Sequence, residues 1–118
     1  MNKKVLIVDD DQDIVEPLAL LLERSGYSVA STTKAKEVFD SIKRFRPDII
    51  LLDILMSGSD GRAICKKLKQ DSHMKDIVVI MMSAHPGADK DSADVGADDF
   101  IAKPFEIDDL FKTLKKYS

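Results

Sequence analysis

The chain of 118 residues is 44% hydrophobic and 33% charged, which supports one globular core and leaves too little length for two ordinary domains. Its 18 basic residues are dispersed and the net charge is −3, so a direct nucleic-acid-binding surface is excluded. A single cysteine, Cys65, excludes an internal disulfide framework and a multi-thiolate zinc site. No apolar run is long enough to cross a bilayer, and we expect a soluble, cytoplasmic protein without membrane insertion.

Short apolar runs alternate along the chain with segments of helical period, which is typical of an α/β domain with a mostly parallel sheet. Three of the runs are apolar at every position, as expected for strands that helices cover on both faces. The second run is interrupted by Ser28 and suits a sheet edge. The five predicted strands are Val5–Val8, Tyr27–Ala30, Ile49–Leu52, Ile77–Met82 and Phe100–Ala102.

The predicted helices lie between these runs or after the last one, and all but the fourth have apolar residues three or four positions apart. The first covers Ile14–Ser25 and stops at Gly26, and Pro17 is tolerated there if it lies in the first turn. The fourth, Ala88–Gly96, is rich in Asp and Ser with Val95 as its only large apolar residue, so we expect it to be short or mobile. The other three lie around Ala35–Ile42, over Asp60–Gln70 and around Ile107–Leu114.

Candidate ligand-binding side chains directly follow four of the five predicted strands, all but the edge strand. In order along the chain they are Asp9, Asp10, Asp53, Ser83 and Lys103. An open parallel sheet binds ligands outside the carboxyl ends of its strands, where the strand order reverses. With the order 2-1-3-4-5, that crevice lies between the first and third strands, and the three aspartates converge at its mouth.

Three neighbouring carboxylates raise one another's pKa unless a cation joins them, and hard oxygen ligands suit Mg²⁺. We therefore predict a Mg²⁺ site, with Mn²⁺ as a substitute metal. Lys103 and Ser83 beside it match a phosphoryl group, which makes Asp53 a candidate nucleophile that forms an acyl phosphate. Taken singly, each residue has an ordinary explanation as a turn, helix-cap or surface residue. Their coincidence at four strand ends favours the site.

Four stretches, VLIVDDD (5–11), IILLDILMSGSDG (49–61), VVIMMSA (78–84) and GADDFIAKPF (96–105), show that the chain resembles the receiver domain of two-component response regulators over essentially its whole length. The resemblance implies a flavodoxin-like, three-layer (βα)5 fold in a single domain spanning residues 1–118. It also implies that Asp53 is the phospho-acceptor and that Asp9, Asp10, Asp53 and the Leu55 carbonyl hold Mg²⁺.

The resemblance further implies that Lys103 binds phosphate, that Ser83 and Phe100 form a conformational switch, and that the bond before Pro104 is cis. Two positions depart from the family pattern. Ser57 stands where proline is usual, and Phe100 lacks the hydroxyl of the frequent tyrosine. Any output that needs a hydrogen bond from that ring is therefore ruled out.

The expected partner is a sensor histidine kinase or a histidine phosphotransfer protein, with a protein target downstream. The chain resembles single-domain regulators of the chemotaxis or sporulation-relay type, and we expect no output domain within it. A stand-alone regulator and a fragment of a larger one both stay open, as do a monomer and a weak, phosphorylation-dependent dimer. Two other functions compete with phosphoacceptance: a pseudo-receiver that only binds proteins, and a small Mg²⁺-dependent phosphohydrolase acting through an aspartyl phosphate.

Overall fold

The computed structural model describes residues 3–56 and 58–118, and Ser57 lies outside the described residues. Its main sheet has five parallel strands, β1 (Lys4–Val8), β2 (Ser28–Thr32), β3 (Ile49–Asp53), β4 (Val78–Ser83) and β5 (Asp99–Ala102). Their order in the sheet is β2-β1-β3-β4-β5, which confirms the predicted fold class and topology.

Five helices connect the strands and cover both faces of the sheet. They are α1 (Gln12–Arg24), α2 (Val38–Phe45), α3 (Gly61–Gln70), α4 (Ala88–Asp94) and α5 (Ile107–Lys115), with a 3-10 turn at Ala35–Glu37 before α2. A two-residue antiparallel pair, Leu55–Met56 with Ser59–Asp60, links β3 to α3 and was not predicted. As predicted, α4 is short. Within the described ranges, no helix is long and apolar enough to cross a membrane.

Alternate residues of the strands supply two separate cores, because successive side chains point to opposite faces of a sheet. On one face, Val5 and Ile7 pack with the apolar sides of α1 and α5. On the other, Leu6 and Val8 pack with residues of α2, α3 and α4. Burial on both faces explains why β1 and β3 are apolar at nearly every position.

The start of α1 differs from the prediction. The helix begins at Gln12 because Asp11 is its N-cap, whose side chain accepts a hydrogen bond from the Asp13 N–H at 3.0 Å. Pro17 therefore lies in the second turn, where it cannot donate to the carbonyl of Asp13. Both residues are exposed, so that water can hydrogen bond to this carbonyl.

The end of α2 holds a backbone conformation that favours glycine. Arg46 has φ 53° and ψ 64°, in the left-handed region, and its N–H donates to the Ile42 carbonyl at 2.8 Å. We expect Arg46→Gly to raise the free energy of unfolding by about 1 kcal/mol, because glycine adopts this conformation without steric cost. Urea denaturation measures the change.

Arg44→Gly is the matched control for that substitution, since it removes the same charge from the last turn of α2. It is expected to lower the free energy of unfolding by about 1 kcal/mol, because glycine inside a helix is unfavourable. Equal effects of the two substitutions would show that lost charge, and not backbone conformation, controls stability at this end of the helix.

Candidate functional site

The residues predicted from the strand ends lie together at the carboxyl edge of the sheet. Asp9 directly follows β1, Asp53 is the last residue of β3, and Lys103 directly follows β5. Because β3 lies between β1 and β4 and all strands run in one direction, these positions end at the same edge. The topology therefore converts separate sequence positions into one cluster.

Three carboxylates form the centre of the cluster. One oxygen from each of Asp9, Asp10 and Asp53 lies within 4.8 Å of the other two. Asp9 is 0% exposed and Asp53 is 6% exposed, whereas Asp10 is exposed to solvent. The Oδ1 atom of Asp9 accepts a hydrogen bond from the Asp11 N–H at 3.0 Å, which orients this carboxylate.

Lys103 supplies positive charge to both buried carboxylates. Its Nζ atom lies 2.5 Å from Oδ2 of Asp9 and 3.6 Å from Oδ1 of Asp53. The Lys103 N–H donates to the Ser83 carbonyl at 3.0 Å, and the peptide bond from Lys103 to Pro104 is cis. The sequence predicts Lys103 beside a metal or phosphoryl group; in the structure, the shorter of its two contacts is with Asp9.

The pKa of Asp53 is raised from 3.8 to about 6. Burial is the main cause, and the negative charges of Asp9 and Asp10 act in the same direction. The charge of Lys103 and a hydrogen bond from the Leu55 N–H oppose the rise in pKa. The Asp53 carboxylate is thus held in an environment that favours an additional cation.

The donor set fits Mg²⁺. Two buried carboxylates and one exposed carboxylate converge, and the exposed side leaves access for water ligands, which Mg²⁺ retains when proteins bind it. Leu55 lies two residues after Asp53, in the short strand paired with Asp60, and is 54% exposed. Lys103 brings one positive charge to the two buried carboxylates of Asp9 and Asp53, which leaves net negative charge for a cation.

Ser83 and Phe100 lie on the neighbouring strands. Ser83 ends β4, is 3% exposed, and its Oγ accepts a hydrogen bond from the N–H of His85 at 3.0 Å. Phe100 is half-buried on β5, packs against the α2, α3 and α4 core, and borders a cavity of about 300 Å³ with residues of α5. The ring therefore lies at the surface between β5 and its flanking helices.

An ionic connection from this region to α4 was missed by sequence reasoning. Asp60 caps α3 and accepts hydrogen bonds from the Arg62 backbone N–H at 2.9 Å and from its guanidinium at 2.6 Å. The same guanidinium contacts Asp91 of α4 at 3.2 Å. Asp60 before a helical segment was a recognisable cap signal, but the pairing with Asp91 depends on how α3 and α4 pack.

Comparison with known proteins identifies relatives along the whole chain. The model of the response regulator receiver domain matches residues 5–115. The chain is 36% identical over 119 residues to sporulation initiation phosphotransferase F of Bacillus subtilis, covering 99% of this chain and 94% of that protein. It is 37% identical over 117 residues to the phosphate regulon transcriptional regulatory protein PhoB of Pseudomonas aeruginosa, covering 98% of this chain and 51% of that protein.

Solved structures agree with these relatives. The chemotaxis response regulator CheY4 of Vibrio cholerae superposes with a TM-score of 0.91 at 28% identity, with 100% of both chains covered. A response regulator of Chloroflexus aurantiacus gives a TM-score of 0.92 at 32% identity, covering 99% of this chain and 98% of that one. The chain spans about half the length of the transcriptional regulators that it matches. It belongs to the family of response regulator receiver domains of two-component systems.

Proposed function

We propose that this domain accepts a phosphoryl group on Asp53 from the phosphohistidine of a sensor kinase or phosphotransfer protein. The observation that carries the proposal is the position of Asp53. It lies at the end of the central strand, 6% exposed, beside two further aspartates and 3.6 Å from the Lys103 ammonium. Phosphoryl transfer requires this combination of an anionic nucleophile and fixed positive charge.

In the proposed reaction, a carboxylate oxygen of Asp53 attacks phosphorus in line with the bond to the donor imidazole. The oxygen–phosphorus bond forms as the nitrogen–phosphorus bond breaks, and the leaving imidazole takes up a proton. Asp9, Asp10, Asp53 and the Leu55 carbonyl would hold Mg²⁺, which when bound neutralises charge on the transferring oxygens. Lys103 stabilises the same charge from the protein side.

A phosphoryl group bonded to Asp53 would add hydrogen-bond acceptor oxygens beside the end of β4. We expect the Ser83 hydroxyl to donate to one of them, drawing the loop after β4 toward the site and freeing space for Phe100 to turn inward. In the structure, Ser83 Oγ accepts a hydrogen bond from the His85 N–H, and a hydroxyl that accepts one hydrogen bond can still donate its own proton, so the turn at His85 would move together with Ser83. The surface of α4, β5 and α5 would then present the signal to a protein target.

The direct test is incubation with Mg²⁺ and acetyl phosphate, followed by intact mass measurement. We expect one phosphoryl group per wild-type chain, and none when the metal is removed by EDTA or when Asp53 is replaced in Asp53→Asn. Asp40→Asn removes an exposed carboxylate from the first turn of α2 and serves as the control that retains the adduct. An adduct on Asp53→Asn would refute the assignment.

The same preparation separates a receiver from a phosphohydrolase. In a receiver the phosphoryl group stays on Asp53 until that bond hydrolyses, so p-nitrophenyl phosphate is expected to yield no more than about one equivalent of p-nitrophenol per chain within one lifetime of the adduct. Continued release of many equivalents, lost in Asp53→Asn, would replace the proposed function with turnover of an external substrate. A wild-type chain that forms no adduct with any phosphodonor would support a binding module instead.

A further inference from the structure

Gly61, the first residue of α3, is buried directly against the backbone of Asp53. A Cβ atom built at position 61 would lie 2.2 Å from the Asp53 carbonyl oxygen and 3.0 Å from the Cα atom of Ile54. Contacts below 3.0 Å are essentially never seen for real Cβ atoms, and these neighbours are backbone atoms that cannot rotate away. No side chain fits at this position unless α3 or the end of β3 moves.

Space, and not backbone conformation, requires glycine at position 61. The glycines with positive φ among the described residues are Gly26, Gly58, Gly87 and Gly96, and Gly61 is not among them. Its N–H donates to the Ile54 carbonyl at 2.7 Å, so the first turn of α3 is also hydrogen bonded to the residue after Asp53. The two segments are therefore in contact and tied together.

Displacement of either segment would change the carboxylate cluster. β3 is hydrogen bonded to β1 on one side and to β4 on the other. Just beyond its end, the Ile54 N–H donates to the Met82 carbonyl at 3.0 Å, so the strand resists movement. If α3 moves instead, it pulls the pair of Leu55 with Asp60, since Asp60 is its N-cap. The first case shifts the Asp53 carboxylate, and the second shifts the Leu55 carbonyl.

We propose that Gly61 is a positioning residue for phosphoryl transfer. Its lack of a side chain lets the first turn of α3 rest on the Asp53 carbonyl, and this contact sets where Asp53 and Leu55 lie relative to Asp9 and Lys103. The inference rests on the proposed function of Asp53, and it adds a residue that touches neither metal nor phosphate. Proximity effects make such placement important, because a displacement of about 1 Å can cost on the order of 100-fold in rate.

The test is Gly61→Ala, made in the Arg46→Gly background so that the variants start from a more stable fold. Relative to Arg46→Gly alone, we expect phosphorylation by acetyl phosphate to slow by about 10-fold to 100-fold. We also expect the Mg²⁺ dissociation constant, measured by calorimetric titration, to rise at least about threefold, because each misplaced ligand weakens a cation that demands near-ideal geometry. A purely structural role would leave this constant unchanged.

Cys65→Ala in the same background is the control for general destabilisation of α3. Cys65 is 0% exposed one turn further along the helix, and its Sγ contacts the Val95 carbonyl at 3.7 Å. We expect it to lower stability while keeping the phosphorylation rate and Mg²⁺ affinity of its parent. Failure of the parent itself to form an adduct would refute the proposed function, and the Mg²⁺ dissociation constants of Gly61→Ala and Cys65→Ala would then decide alone whether Gly61 positions the carboxylate cluster.

Two results would overturn the positioning role of Gly61. One is a Gly61→Ala protein that matches Cys65→Ala in both rate and Mg²⁺ affinity. The other is a Gly61→Ala protein that stays unfolded while Cys65→Ala folds, since a displacement confined to the loop should leave both cores intact. Circular dichroism and urea denaturation of each variant decide which case applies.

Discussion

Replacement of Lys103 by methionine is expected to lower the free energy of unfolding by about 3 kcal/mol in the absence of Mg²⁺, because it leaves a buried carboxylate without its partner. The Nζ atom of Lys103 lies 2.5 Å from Oδ2 of Asp9, and the Asp9 side chain is only 1% exposed. Methionine retains most of the aliphatic stem, so that loss of charge dominates the effect. Urea denaturation in EDTA measures it.

Lys103→Met is also expected to slow phosphorylation of Asp53 by about 100-fold or more, because the ammonium is the fixed positive charge nearest to the reacting oxygens. A time course of intact mass with acetyl phosphate gives the rate. Saturating Mg²⁺ should restore much of the stability but not the rate, since a bound cation offsets the charge of the cluster without replacing the lysine. Recovery of both would show that Lys103 has only a structural role.

Lys116→Met is the matched control for Lys103→Met. Lys116 pairs with Asp99 at 3.3 Å, but its side chain is 62% exposed, and an exposed pair contributes less than about 1 kcal/mol. A double variant of Lys103→Met with Asp9→Asn should be more stable than Lys103→Met alone, because it removes the unpaired charge. An equal decrease in the free energy of unfolding for Lys103→Met and Lys116→Met would contradict the interpretation that burial makes the pair of Lys103 with Asp9 important for stability.

Without Mg²⁺, the fold is expected to lose stability relative to Asp53→Asn as the pH rises from about 4.5 to about 8. The pKa of Asp53 is about 6 in the folded protein, against 3.8 for an ordinary aspartate, so the folded state holds this proton more tightly. The stability that comes from this tighter proton binding is fully present below about pH 4 and is lost as the pH rises through about 6. A change in pKa of this size corresponds to about 3 kcal/mol.

Urea denaturation in EDTA at several pH values measures this effect as the difference between the wild-type chain and Asp53→Asn. Asparagine keeps the shape and cannot ionise, and the titrating groups outside the carboxylate cluster cancel in the difference. At pH 8 we therefore expect Asp53→Asn to be the more stable protein by about 2 to 3 kcal/mol. A difference that does not vary with pH would show that the pKa of Asp53 is not raised by folding.

Asp40→Asn is the control for this pH series, since Asp40 is exposed and its substitution should leave the pH dependence unchanged. Addition of Mg²⁺ should reduce or reverse the advantage of Asp53→Asn, because a cation bound only to the folded chain stabilises it. At a concentration 100 times the dissociation constant, this stabilisation amounts to about 2.7 kcal/mol. No gain in wild-type stability with Mg²⁺ would contradict the proposed metal site.

Sequence alone predicted the five strands and placed four helices close to their observed bounds. Runs such as Ile49–Leu52 are apolar throughout because both faces of a central parallel strand are buried, and this pattern can be recognised in the sequence. Boundaries were less secure at the caps. Helix α1 begins two residues before the predicted start at Ile14, because the N-cap hydrogen bond from the Asp13 N–H to the Asp11 side chain, and not the apolar period, decides where the helix begins.

The residues of the candidate site were also readable in the sequence, because a parallel sheet brings the carboxyl ends of its strands to one edge. Asp9, Asp53 and Lys103 follow three strands and could be assigned to one cluster on that basis. Their pairing could not be read in the same way. Only the packed structure shows that Lys103 lies nearer to Asp9 than to Asp53, since that depends on distances between strands far apart in the chain.

For this protein, the sequence by itself determined the fold, the edge of the sheet that carries the chemistry and the residue types gathered there, because these follow from local periodicity and strand direction. The tertiary structure alone decided the close approach of Gly61 to the Asp53 carbonyl and the bridge from Arg62 to Asp91. Both are contacts between elements whose separation is set by packing. A one-dimensional pattern of residue types contains no measure of such distances.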